Sequence, residues 1–381
     1  MKKLLLSIIA VLGIYNITLA QEEGVVKKKA SVAFVYPISS NGAATNVENN
    51  ASFNLLFGAN AGVNGAELSG IGALNKGDIK GGQFAGVFNA TKGDVKGGQF
   101  AGVLNATHGN TEGVQIAGVG NTTKNNVTGV QFGAVGNITL GDQKGVAIAG
   151  ASNYVKGNVN GVQGGTVNIG LEKVNGAQVG VINIADTLSG VQFGVINFSN
   201  NVERGTPIGI INVVKNGYYA IEVTSGEINV AGVSYKMGTT DFYTIFKYGY
   251  TPDYVSTTTN HNFGFGFGTL RNLSRNGRHQ LAIDITSNHF IPYQGADKNE
   301  TNNNINMVGK LDVNYHFKVN KNISVVGGPS LNGYYSEVKA NDASNFGTLT
   351  LPSETMIHQE FNATNTQAVW VGFNLGINYT F

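Results

Sequence analysis

The sequence predicts an all-β chain: a Gly-rich β-solenoid repeat array followed by a C-terminal antiparallel β-barrel of the outer-membrane type. Three observations predict it. A motif of the form Gly-Val-Gln-x-x-Gly-Val-x-Asn recurs every 16 residues through the middle of the chain. Glycine, at 54 of 381 residues, is about twice as frequent as usual, whereas proline numbers only 6. From Tyr218 onward, where 12 of the 15 tyrosines lie, the repeat gives way to strict apolar–polar alternation.

Residues 1–20 read as a secretory signal, with Lys2 and Lys3, an apolar stretch from Leu4 to Ile14, and small residues for cleavage at Thr18 to Ala20. Without Lys2 and Lys3 the 25 basic residues fall to match the 23 acidic ones, and no basic patch points to nucleic acid. Cysteine is absent, which excludes a disulfide framework, a thiolate metal site and a lipidated cysteine anchor. After the signal no apolar run approaches the roughly 18 residues a membrane helix needs, so a closed barrel is the available way to span a bilayer.

The array is expected over residues 65–212. Its clearest units are Gly81–Asn89, Gly97–Asn105, Gly113–Asn121 and Gly129–Asn137, within ten in all. A 16-residue unit is too short for a helix pair and carries two turn signals, so one coil of a β-solenoid is the natural reading. Ten coils at about 4.8 Å would stack to roughly 48 Å. One turn is the Gly-Asp or Gly-Asn step at Gly77, Gly93, Gly109, Gly141 and Gly157, where glycine tolerates positive φ and the Asx side chain bonds its own backbone.

Alternation then assigns faces. If Phe84, Phe100, Ile116, Phe132 and Ile148 point inward, the opposite parity makes an outward face of Gln83, Gln99, Gln115 and Gln131 with Asn89, Asn105, Asn121 and Asn137. These eight residues are the candidate binding face. Their simpler role is coil-to-coil hydrogen bonding. The four Asn-x-Thr triplets beginning at those asparagines read as turn chemistry rather than glycan acceptors.

The barrel strands are expected at about 227–237, 241–251, 261–270, 279–288, 306–319, 321–335 and 366–381. An eighth, at residues 30–38, comes from Ser31 to Pro37, because bacterial single-chain barrels close with an even number. Residues 39–64 would then lead into the array and 213–226 would be a linker or last coil. Short and long links alternate along the barrel. With short links on the periplasmic side, this arrangement puts the array in the first extracellular connection. A rival count of ten strands adds Ser52–Phe57 and Tyr218–Thr224 and puts the array in the periplasm. Asp284, Lys310, Asp312, His316 and Lys318 are expected to line the lumen, since charge is costly against lipid.

Several residues together give the chain a resemblance. These are the stretch Tyr36–Gly42, the repeated motif, Asp241–Phe246 and Asp284–Asn288, and with them the chain resembles the surface-repeat outer-membrane proteins of Bacteroidota and Leptospira. The resemblance implies location and architecture but no catalytic residues. Nothing else suggests an enzyme or a cofactor. The six histidines form no metal-ligand spacing. Gly264-Phe-Gly266-Phe-Gly268 sits in an alternating strand and not before a helix. Gly328-Pro-Ser330 lacks the second glycine of a nucleophile elbow, and Asp297–Glu300 lacks a calcium-loop glycine. The expected function is therefore a non-enzymatic surface protein, with outer-membrane lipid around the barrel and an extracellular glycan or protein as partner of the array. A small pore and a structural spacer or coat are the alternatives.

Overall fold

A computed structural model of the protein describes residues 24–252, 259–293, 305–337, 354–361 and 365–381. The signal over 1–20 and the Asp297–Glu300 segment lie outside the described residues. Every regular element described is a strand. The chain divides after Val114 into two units. The first holds parallel solenoid coils from Val26, and the second holds further coils up to Val214 and a closed antiparallel barrel of eight strands.

In the first unit a coil consists of a longer and a shorter strand, as in Val95–Ala101 and Leu104–Thr107. Coils stack in parallel at the offset of the repeat, so Gln83 pairs with Gln99 and Asn89 with Asn105. The array begins earlier than the motif does. Val26–Val35 pairs in parallel with Val47–Asn60, which in turn pairs with Gly62–Ser69 and Gly72–Asn75. Residues 30–38 and 52–57 therefore belong to the array and not to the barrel. Their alternation is genuine, with Val32 and Phe34 exposed and Ser31 and Ala33 buried. Outward apolar residues are common to both domains, so alternation alone could not distinguish them.

The coil faces are opposite to the expected ones. Gln83, Gln99, Gln115, Gln131 and Asn89, Asn105, Asn121, Asn137 are at most 2% exposed, whereas Phe84, Ile116, Phe132 and Ile148 are about two-fifths exposed. The physical reason is the stacking repeat. Identical amides one coil apart satisfy each other, which removes most of the penalty for burying them. In the first unit the Gln99 amide donates to Gln83 Oε1 at 2.9 Å and Gln83 donates to Glu67 Oε2 at 2.9 Å. In the second, Gln131 donates to Gln115 at 2.7 Å and Gln192 to Gln178 at 2.8 Å. The rest of the core is a narrow apolar stripe, including Val63, Ile79 and Val95 in the first unit and Val155, Val159, Val174 and Leu188 in the second.

Irregularities in the repeat follow from these faces. Ala147 takes the Gln slot, but Gln143 of the same coil takes the slot of Val127 and Val159, so an amide and a small apolar group have exchanged places. Gly164 replaces an outward residue and leaves no hole in the core. The Gly-Asx turns also stack. Asp78 Oδ1 accepts from the backbone N–H of Asp94, and Asp142 Oδ1 accepts from that of Asn158, so each side chain bonds the next coil rather than its own.

The barrel strands are β1 (Tyr218–Gly226), β2 (Ala231–Gly238), β3 (Tyr243–Pro252), β4 (Thr259–Asn272), β5 (His279–Tyr293), β6 (Asn306–Lys318), β7 (Ile323–Ser336) and β8 (Thr366–Thr380). Neighbours pair antiparallel, and β1 closes on β8 through pairs such as Val223 with Ile377. A short strand, Met356–Phe361, runs along the start of β8. The count of eight stands, with β1 in the place given to residues 30–38. Residues 227–230 are a link and not strand. Outward positions are apolar, among them Val223, Phe263, Ile285, Phe373, Leu375 and Ile377, and the longer strands exceed the roughly 9–11 residues that cross a bilayer.

Strand direction fixes the ends. Tyr218, where the chain enters β1, shares an end with the short links 239–242, 273–278 and 319–322 and with Thr380. At the other end are the link 227–230 and the strand ends Tyr293, Asn306, Ser336 and Thr366, between which the longer stretches of sequence run. The last coil of the array sits on the short-link end. There Asn212 donates to Thr244 Oγ1 at 3.0 Å, and the Val214 N–H donates to the Tyr219 hydroxyl at 2.8 Å.

Candidate functional site

The eight residues expected to form a binding face are interior ladder residues. In the second unit the Asn ladder runs from Asn121 through Asn137, Asn153, Asn168, Asn183 and Asn197 to Asn212, each amide donating to the next Oδ1 at 2.8–3.0 Å. In the first unit Asn89 donates to Asn105 in the same sense. The Gln ladder points the opposite way, towards earlier coils. Its end is Glu67, which occupies a Gln slot. The Glu67 carboxylate accepts from Asn54, Asn60, Asn75 and Gln83 at 2.6–3.0 Å. Burial nevertheless holds its carboxyl above the usual glutamate range, and the four amide donors only partly offset this. A carboxylate has no proton to give and four lone-pair sites to fill, which suits the end of a row of donors. With their amides engaged inside, the four Asn-x-Thr asparagines are unavailable for glycan attachment.

Two other rows reach the surface. One, on the longer strand, is polar: Lys80 pairs with Lys96 in the first unit, and Thr128, Lys144, Asn160 and Asn175 pair in sequence in the second. All six are exposed. The other lies at the corner away from the Gly-Asx turns and is apolar, with Val119, Val135, Val181, Val195 and Ile210 beside the Phe132 and Ile148 column. The repeat contains both rows. Alternation alone hides them, because an apolar residue in an alternating strand carries no sign of which way it points.

The five residues expected to line the lumen lie on β5 and β6. Asp284, Lys310, Asp312 and His316 are buried inside, and Lys318 is half-buried at the strand end. Lys236, missed in the sequence because β2 shows few charges, is central. Its ammonium lies 2.8 Å from both Glu222 and Asp284, and Tyr243 donates to the same Asp284 at 2.5 Å. Gly268 leaves room for this group, since a Cβ there would meet the Asp284 carboxylate and the Tyr243 ring. Further along, Lys310 pairs with Asp312 at 3.3 Å and Asn374 donates to Asp312 at 2.6 Å.

Apolar clusters flank these charges. Tyr218, Tyr243, Ile245 and Leu270 pack at the short-link end, and Ile228, Phe290, Tyr334 and Trp370 at the other. Glu227, from the β1–β2 link, reaches inward to accept from Ser330, Asn332 and the Phe373 N–H. Among the described residues the lumen is thus filled by side chains, as an eight-stranded barrel permits. Of the buried charges, Lys236 pairs with Glu222 and Asp284, and Lys310 with Asp312. Comparison with protein-family models, with curated proteins and with solved structures found no match to the chain.

Proposed function

We propose that the protein is a non-enzymatic outer-membrane anchor for a β-solenoid, with the array on the periplasmic side and its outward polar row recognising an extended glycan. The observation that carries this reading is the seating of the last coil on the short-link end of the barrel, through Asn212 and Thr244. Short links belong to the periplasmic side of outer-membrane barrels. The cell-surface display expected from the sequence depended on residues 30–38 crossing the membrane. With β1 in their place, the same parity reasoning favours the opposite side.

Recognition rests on the row containing Thr128, Lys144, Asn160 and Asn175. It presents hydrogen-bonding groups at the coil spacing of about 4.8 Å, beside a floor that includes Gly129, Gly145 and Gly161. A repeating polar polymer can meet such a row at many points, each weak alone. The test is co-sedimentation of detergent-solubilised full-length protein with insoluble cell-wall glycan. The protein is expected in the pellet, and the combined Thr128→Ala, Lys144→Glu, Asn160→Ala variant in the supernatant. No sedimentation, or equal sedimentation of the variant, removes the glycan reading.

A further inference from the structure

We propose that the apolar ridge of the array receives a second copy of this chain, the two arrays lying side by side and parallel. The proposal rests on the barrel-anchored reading alone and is indifferent to the side of the membrane and to any glycan. In the coils after Gln115, two neighbouring columns stay open to solvent. One includes Ile116, Phe132, Ile148 and Phe193, and the other includes Val119, Val135, Val181, Val195 and Ile210. These residues are 39–58% exposed. At roughly 60–100 Å² left on each large side chain, the ridge offers on the order of 800 Å², about what each partner contributes to a standard stable interface. A single-chain surface in water rarely leaves so large an apolar patch uncovered.

The chemistry of the ridge favours a copy of itself. Neither column contains a charged residue, whereas Lys124, Asp142 and Lys156 cluster at the Gly-Asx turns on the other edge. Two ridges therefore meet without repulsion. The barrel adds a geometric constraint, because copies inserted with one topology in one membrane hold their arrays in the same sense. A two-fold axis along the arrays then brings equal coils to equal heights, as an isologous interface requires. Identical spacing lets the two columns interlock on either side of the coils where Ala151, Gly164 and Thr166 interrupt them, in the manner of paired sheets with dry, matched side chains.

The chain has no cysteine, so single cysteines report the contact directly. Val119→Cys and Val195→Cys, five coils apart on the ridge, are each oxidised in native membranes, with Lys124→Cys and Lys156→Cys as controls on the turn edge. Disulfide-linked dimers are expected for both ridge variants and not for the controls, and Val135→Asp added to either ridge variant should cut the dimer at least tenfold. Retention in the outer-membrane fraction and heat-modifiable gel mobility show that each variant is folded and inserted. Dimers at neither ridge position, or equally at the controls, overturn the proposal. Dimers only from a mixture of the two ridge variants mean antiparallel contact and contradict it. Quenching by a lipid-borne quencher of a fluorophore attached to the Val119→Cys or Val195→Cys variant, without dimers, assigns the ridge to lipid instead.

Discussion

Asn212 of the last coil donates its side-chain amide to Thr244 Oγ1 of β3 at 3.0 Å, and Thr244 in turn donates to the Gly209 carbonyl at 2.8 Å. The interior Asn ladder of the second unit thus ends on a barrel residue. Each amide in it donates to the following coil, and the last donates to the Gly209 carbonyl and to the barrel. Thr244→Val keeps the shape but removes the hydroxyl, orphaning one buried donor at a cost of about 1–3 kcal/mol. Faster tryptic cleavage at the exposed Lys215 should follow, with Thr244→Ser close to wild type. Unchanged cleavage in Thr244→Val would show that this contact does not secure the junction.

Glu67 gives a pH dependence of definite sign. Its carboxyl is raised above the ordinary value near 4.5 by burial, so the folded coil keeps a proton that the unfolded chain releases. The unfolded state then binds fewer protons, and stability falls as pH rises from about 4.5 through the raised value. Hydrogen-exchange protection across Val63–Ala85, corrected for intrinsic rates, should be greater at pH 4.5 than at pH 7.5. Glu67→Gln should abolish that difference, while setting its own amide donor against the surrounding amides. An equal pH response in Glu67→Gln would assign the effect to another group.

Gly145 has φ of 123°, and a Cβ there would run into the Gly129 carbonyl of the preceding coil. Its equivalents Gly81, Gly97, Gly113, Gly129 and Gly161 share the positive φ. Gly145→Ala combines backbone strain with a clash against rigid main chain and should cost about 3 kcal/mol or more. Loss of protease resistance in the surrounding coils would report it. Gly164→Ala, facing outward with only an ordinary contact to Ile148, is the matched control and should be silent.

The positions of strands were largely legible in the sequence. Expected β3 to β8 agree with the observed ones to within a few residues, because period-2 alternation and Gly or Asn turns mark them directly. Which face of a coil is inside was not. Alternation separates two faces without naming them, and the rule that apolar residues go inward fails where stacked Gln and Asn amides satisfy one another. The first coil at Val26–Val35 was misplaced for the same reason: an outward row of Val32 and Phe34 looks alike on a barrel and on this solenoid. Lys236 was missed because it is the lone charge of β2 and its two carboxylate partners come from β1 and β5, far apart in sequence.

Lys236 is 1% exposed between Glu222 and Asp284. Lys236→Met would leave two carboxylates buried without a counter-ion, at a cost of about 3–5 kcal/mol. The heat-modifiable band in cold gel electrophoresis should convert to the unfolded form at a lower temperature. The conservative Lys236→Arg should fall between, since the larger guanidinium must fit the same packed layer. No change in Lys236→Met would mean that the carboxylates find other partners.

The central claim is that the array leaves the barrel at the short-link, periplasmic end, and single-cysteine labelling with a membrane-impermeant maleimide tests it most directly. Lys156→Cys reports a Gly-Asx turn of the array, and Val230→Cys reports the opposite end of the barrel, where both residues are exposed. On intact cells Val230→Cys should label and Lys156→Cys should not, and both should label once the outer membrane is permeabilised. Labelling of Lys156→Cys on intact cells with Val230→Cys protected, in protein that is inserted and heat-modifiable, would contradict the account and return the array to the cell surface.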